Sequence, residues 1–130
     1  MDEEKKRVLI IDDESGFTRL LKLTLERTKK YTVREQNDAT KALETAREFQ
    51  PDLILLDIVM PKADGGDVAR EITADPRLKK TKIVFLTAIV SKKEAVSGNR
   101  IGGFPFMAKP VSLDALVKCI EENLGAAPTG

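Results

Sequence analysis

Histidine is absent from the sequence, which removes histidine-dependent triads, histidine metal ligands and any phosphohistidine role for this chain itself. The single cysteine, Cys119, can close no internal disulfide and build no thiolate zinc cluster, so a reducing interior is compatible with it. It lies beside the apolar stripe of the last expected helix and reads as a packing residue without a redox role. Long hydrophobic runs are missing too: stretches such as VLII and LILL fall far short of a membrane span. Charge of neither sign dominates, because 22 Lys plus Arg stand against 21 Asp plus Glu. The net charge of +1 supplies none of the broad positive field that non-specific nucleic-acid binding draws on. Neither nucleic acid nor membrane is therefore expected as a direct partner, and the KKRV, LKK and SKK clusters read as solvated faces. The opening MDEEKKR lacks the apolar segment of a secretory signal, so a cytoplasmic location is expected.

What is present suits one folded domain. A chain of 130 residues is near the usual size of a single domain, and 42% hydrophobic residues argue against disorder. Short apolar runs alternate with helical stripes, the pattern of a parallel α/β sheet. Val8 to Ile11, Leu53 to Leu56 and Ile83 to Leu86 are continuous apolar runs of the kind buried on both faces. Strands are also expected at Tyr31 to Arg34 and Phe104 to Ala108. Between them, Phe17, Leu20, Leu21 and Leu25 predict one helical face, and Ala42, Leu43, Ala46 and Phe49 predict another, capped by Asp38 and ended by Pro51. A third helix runs through Val68 and Ile72 and stops at Asp75 and Pro76. The last carries Leu113, Leu116, Val117, Ile120 and Leu124, with Ser112 as its cap. The segment after Ser91 predicts a short or mobile fourth helix, because Ser97, Gly98 and Asn99 interrupt it and interior Gly costs about 1 kcal/mol against Ala. The expectation is a doubly wound, five-stranded parallel sheet with five helices, a single domain over 1–130 with its core at about 6–124 and a disordered tail at 125–130.

In such sheets the side chains just past the strand ends converge on one rim, where ligands bind. Asp12, Asp13, Asp57, Thr87 and Lys109 each follow a predicted strand and should meet there. Carboxylates about 4 Å apart repel by about 4 kcal/mol per pair at an effective dielectric of about 20. A cation relieves this, and oxygen donors without Cys or His select a hard ion, Mg²⁺ above all. Lys109 adds a mobile positive charge, so three carboxylates, Mg²⁺ and Lys⁺ balance, and one Asp can take a phosphoryl group. Asp57, at the end of the central run and beside the VMPKADGG loop, is the nucleophile candidate. Thr87 offers a hydroxyl that can turn toward a phosphoryl oxygen.

These residues give the sequence its resemblance to the response-regulator receiver domains of two-component signalling, of the chemotaxis-regulator type. The matching pieces are VLIIDDE, DLILLDIVMPKADG, IVFLTA and FMAKP, in that order. They span roughly Lys6 to Leu124, with intervals of 44, 30 and 22 residues from Asp13 through Asp57 and Thr87 to Lys109. The resemblance implies a flavodoxin-like fold and a phospho-accepting switch rather than an enzyme with turnover. It implies that Asp57 takes the phosphoryl group from the phospho-His of a sensor histidine kinase or a phosphotransfer protein. It further implies that Asp13 binds Mg²⁺ directly, that Asp12 helps through water, and that the backbone carbonyl of Val59 is the remaining protein ligand beside Asp57. A cis Lys109–Pro110 bond would aim the ammonium at the site. Thr87 and Phe106 would form the switch, with Phe106 in place of the usual Tyr and so dependent on packing alone. Val59 and Ile89 would flank the attacking water; neither can orient it, and slow loss of phosphate is expected.

Other readings stay open. Asp12 and Asp13 also suit helix capping, Thr87 a loop hydroxyl, Lys109 a solvated turn, and Phe106 the core. Phe17, Leu20 and Leu21 are core by default, though the first helix is the usual docking surface in the family. A stand-alone receiver that signals to a downstream protein is the first expectation, since no effector region follows Leu124. The alternatives are an Asp-nucleophile phosphohydrolase, against which the lack of an acid or base at Val59 speaks, and a receiver cut from a larger protein with its own effector domain. A homodimer on activation is left open.

Overall fold

Three four-residue apolar runs become the middle of a sheet because helices cover both of its faces. The computed structural model describes residues 5–88, 100, 101 and 103–124. In chain order the elements are β1 (Lys6–Ile11), α1 (Ser15–Arg27), β2 (Tyr31–Gln36), α2 (Ala42–Phe49), β3 (Leu53–Asp57), α3 (Gly65–Ala74), β4 (Lys82–Thr87), β5 (Arg100–Ile101), β6 (Phe104–Ala108) and α4 (Leu113–Leu124). The sheet order is β2-β1-β3-β4-β6-β5. β1 to β4 and β6 pair in parallel, as the alternation predicts. β5 adds a two-residue antiparallel edge on β6 that the periodicity did not reveal, since two residues show no period.

Successive residues of each strand point to opposite faces, so one run feeds two cores. Leu9, Ile11, Ile54 and Leu56 pack with Ala42, Ala46 and Phe49 of α2 and Val68, Ala69 and Ile72 of α3. Val8, Ile10, Leu53, Leu55, Val84 and Leu86 pack on the other face with Leu21 and Leu25 of α1 and Leu116 and Ile120 of α4. Fully burying one such side chain contributes about 1.5–3 kcal/mol, and this repeated gain holds the strand ends in place.

Four details correct the sequence reading. Leu20 is 62% exposed, because the buried stripe of α1 is Thr18, Leu21 and Leu25 and Leu20 falls outside it. Leu113 is likewise exposed, as it sits in the first turn of α4 before the helix meets the sheet. Asp38 caps a 3-10 turn, Ala39–Lys41, by accepting from Thr40 N–H, and α2 proper begins only at Ala42. Gln50, in the left-handed region, ends α2 before Pro51 is reached. The expected fourth helix, Ile89 and the tail from 125 lie outside the described residues.

Candidate functional site at the carboxyl rim

The strand order reverses between β1, whose neighbours are β2 and β3, and β3, which leads on to β4. A crevice opens at such a switch point. β1 delivers Asp12 and Asp13 to it, and β3 ends on Asp57. Carboxylate oxygens of Asp12, Asp13 and Asp57 all lie within 4.8 Å of one another, with Asp12 and Asp57 buried and Asp13 exposed.

Lys109, the residue after β6, brings the cation. Its backbone N–H donates to the Thr87 carbonyl at 2.9 Å, which ties it to the end of β4, and the Lys109–Pro110 bond is cis. Lys109 Nζ donates to Asp12 Oδ2 at 2.7 Å and lies 3.9 Å from Asp57 Oδ2. Glu14 Oε1 is 3.5 Å away and the Phe17 ring centroid 4.4 Å, so the ammonium rests over an aromatic face. Asp12 spends its other oxygen, Oδ1, on the N–H of Glu14 at 3.0 Å. The Asp13 carboxylate accepts no hydrogen bond among the described residues.

Asp57 keeps 9% of its side-chain exposure. Burial first, and the Asp12 charge second, push its pKa up to about 6, against the opposing pull of Lys109 and of the Val59 N–H. For Lys109, burial works against the charged form, but the hydrogen bond to Asp12 and the charges of Asp12, Asp57 and Glu14 outweigh it and raise its pKa. The cluster is thus a concentration of negative charge that one lysine only partly offsets. Its donors are all hard oxygens, with no Cys or His among them, and that donor set is the one that would suit Mg²⁺.

The loop after β3 is folded back onto the site. Val59 and Asp64 form an isolated antiparallel bridge, and Asp64 caps α3 by accepting from Gly66 N–H. Gly65 is there for want of space: a Cβ at this position would meet the Asp57 carbonyl oxygen at 2.5 Å and the Ile58 Cα at 2.7 Å. Its N–H donates to the Ile58 carbonyl at 2.9 Å.

A family model for the response regulator receiver domain matches residues 8–121. The chain belongs to this family. The receiver is 33% identical over 124 residues to the DNA-binding response regulator MtrA of Mycobacterium tuberculosis, a match covering 95% of this chain and 53% of that protein. With the alkaline phosphatase synthesis transcriptional regulatory protein PhoP of Bacillus subtilis it shares 36% identity over 118 residues, 88% of this chain and 48% of the other. The chain spans about half the length of these relatives. Among solved structures, the chemotaxis protein CheY4 of Vibrio cholerae matches with a TM-score of 0.80 at 25% identity, over 92% of this chain and 99% of that one. A CheY-like receiver domain from Methanospirillum hungatei matches at 0.79 and 25% identity, over 94% and 95%. This is a receiver domain of two-component response regulators, a signalling protein.

Of the residues the sequence singled out, the receiver fold gathers Asp12, Asp13, Asp57 and Lys109 at one rim. Thr87 ends β4, buried, one residue beyond the partner of Asp57 in the adjoining strand. Phe106 stands opposite Phe85 in the β4–β6 pairing and packs, half-buried, against the core on the α2 and α3 face. Val59 is 62% exposed at the mouth. The sequence reading missed the contacts of Glu14 and Phe17 with Lys109. Glu14 follows the Asp pair directly and Phe17 lies one helical turn beyond it; that adjacency was the available signal. Among the described residues no helix is long and apolar enough to cross a membrane.

Proposed function

We propose that this receiver is a Mg²⁺-dependent phospho-acceptor switch in which Asp57 takes a phosphoryl group from the phospho-His of a sensor histidine kinase or a phosphotransfer protein. The observation that carries the reading is the meeting of three carboxylates within 4.8 Å with a lysine ammonium 3.9 Å from one of them. A carboxylate oxygen of Asp57 attacks phosphorus, a P–O bond forms as the P–N bond breaks, and the electron pair of that bond stays on the imidazole nitrogen, which takes up a proton. Asp13, whose carboxylate accepts no hydrogen bond among the described residues, would hold the ion directly. Asp12, whose two oxygens accept from the Glu14 N–H and from Lys109 Nζ, would act through water, and the Val59 carbonyl and Asp57 would complete the protein ligands. When bound, Mg²⁺ supplies neutralisation of the charge on the phosphoryl oxygens.

Lys109 then exchanges part of its contact with Asp12 for a phosphoryl oxygen, a motion its flexible stem permits. Thr87 turns its hydroxyl to the same group, and Phe106 follows by packing alone, changing the surface offered to a downstream protein or effector domain. The relatives named as DNA-binding regulators favour an effector that meets DNA through a region other than the receiver. The domain acts in the cytoplasm as one receiver unit over 1–130, and dimerises on activation only if the changed surface is self-complementary. It turns over nothing but its own phosphate, because the exposed Val59 offers no acid or base to water.

The test is incubation with a small phosphodonor and Mg²⁺ followed by intact mass. A stable gain of one phosphoryl group, lost in Asp57→Asn and without Mg²⁺, supports the switch. Rapid release of free phosphate would instead support a phosphohydrolase.

A further inference from the structure

The end of β2 grips the backbone of Asp12 from both sides. The Asp12 N–H donates to the Gln36 carbonyl at 3.2 Å, and the Asp12 carbonyl accepts from Asn37 Nδ2 at 2.7 Å. A carbonyl oxygen only accepts, so the nitrogen of the Asn37 amide must face it. The same nitrogen donates to Thr18 Oγ1 at 2.9 Å. Thr18 is fully buried, and its hydroxyl proton has Glu35 Oε1 at 2.9 Å and the Ser15 carbonyl at 3.1 Å in reach. Glu35 is fixed in turn by Arg19 Nε at 2.8 Å. Asp12, Asn37, Thr18, Glu35 and Arg19 thus form one polar chain that ties β1, β2 and the first turns of α1 together.

Asp13 is held in no such way. Its side chain is exposed and without a hydrogen bond among the described residues, so its direction depends on its backbone. The peptide that leads into Asp13 carries, as its carbonyl, the atom that Asn37 grips. We infer that Asn37, braced by Thr18, is a positioning residue for the cation site: it fixes the Asp12–Asp13 peptide and through it the carboxylate of Asp13. The inference rests on the reading of Asp12, Asp13 and Asp57 as a Mg²⁺ site. Neither Asn37 nor Thr18 is a ligand; they act through the ligand, and removing such outer partners typically weakens metal binding by about 10- to 100-fold.

The test is titration of the isotope-labelled full chain with MgCl₂, followed by amide NMR, beside thermal unfolding without Mg²⁺. Asn37→Ala should raise the Mg²⁺ dissociation constant about 10-fold or more. Thr18→Val should weaken binding as well, and Thr18→Ser, which keeps the hydroxyl, should restore it. Should Asn37→Ala fail to fold, the two Thr18 variants carry the same comparison. Asp75→Asn, which breaks an ion pair between α2 and the end of α3, supplies a variant of lowered stability and should leave Mg²⁺ affinity unchanged. Wild-type affinity in Asn37→Ala, or in Thr18→Val, overturns the inference, as does an equal loss of affinity in Asp75→Asn. A wild-type chain that binds no Mg²⁺ overturns the cation reading and this inference with it, whereas wild-type binding with unaffected variants overturns the inference alone.

Discussion

Lys109 and Asp12, 97 positions apart in the chain, meet in a hydrogen-bonded ion pair of 2.7 Å. Asp12 is wholly buried, and the lysine side chain is 14% exposed. Breaking such a pair by removing one partner strands the other charge, at a cost on the order of 3 kcal/mol. Lys109→Ala should therefore lower urea stability by about that amount without Mg²⁺, and by less with it, because the ion offers Asp12 another positive charge. The same variant should bind Mg²⁺ yet gain little or no phosphate. Equal stability of the two chains in the absence of Mg²⁺ would remove the pair from the account.

Gly65→Ala probes the close approach of α3 to the site. The added methyl meets backbone atoms of Asp57 and Ile58, which are not the yielding end of a flexible side chain. Either α3 or the end of β3 must shift, and overpacking of this kind costs about 1–3 kcal/mol. Lowered denaturation midpoint together with slower phosphorylation is expected. A variant of wild-type stability and rate would show that the loop gives way freely.

The legible part of this molecule was the part set by burial. Val8 to Ile11, Leu53 to Leu56 and Ile83 to Leu86 announce strands covered on both faces, and the polar residue after each marks the rim. Those ends, with Lys109 after the Phe104 to Ala108 strand, predict that Asp12, Asp13, Asp57, Thr87 and Lys109 meet at one rim, and the fold brings Asp12, Asp13, Asp57 and Lys109 into contact there, with Thr87 buried at the end of β4. Leu20 was misread because Leu20 and Leu21 are adjacent, and spacing alone did not say which of them turns inward. The need for glycine at position 65 was not readable either, since it arises from a backbone crossing that no local pattern encodes. Asn37 passed unnoticed because its partners, Asp12 and Thr18, come from other elements.

Asp75 gives a pH signature away from the rim. The hydrogen bond from Arg47 Nε, 2.7 Å, and then the Arg77 N–H, hold its carboxyl below the usual carboxylate range. A depressed folded-state value contributes stability above the unfolded value of about 3.9 and loses it as pH falls through the folded one. Asp75→Asn keeps a capping oxygen but loses the charge. It should be less stable than the wild type at neutral pH, with the gap closing below about pH 4. A gap that is constant from neutral to acid pH would contradict the assignment.

Slow loss of the phosphoryl group is the outcome expected from the apolar Val59 at the mouth. Phosphorylated chain freed of donor should keep its phosphate longer than a Val59→Asn variant, whose amide can hold a water beside the acyl phosphate. Equal decay of the two would take Val59 out of the explanation.

Borohydride trapping tests the central claim most directly. An aspartyl phosphate is reduced by borohydride to homoserine, so peptide mapping after treatment with phosphodonor, Mg²⁺ and borohydride reports the acceptor residue. Homoserine at position 57 alone is the expected result. Trapping at another carboxylate, or none at all in a chain that has gained phosphate, would contradict the account.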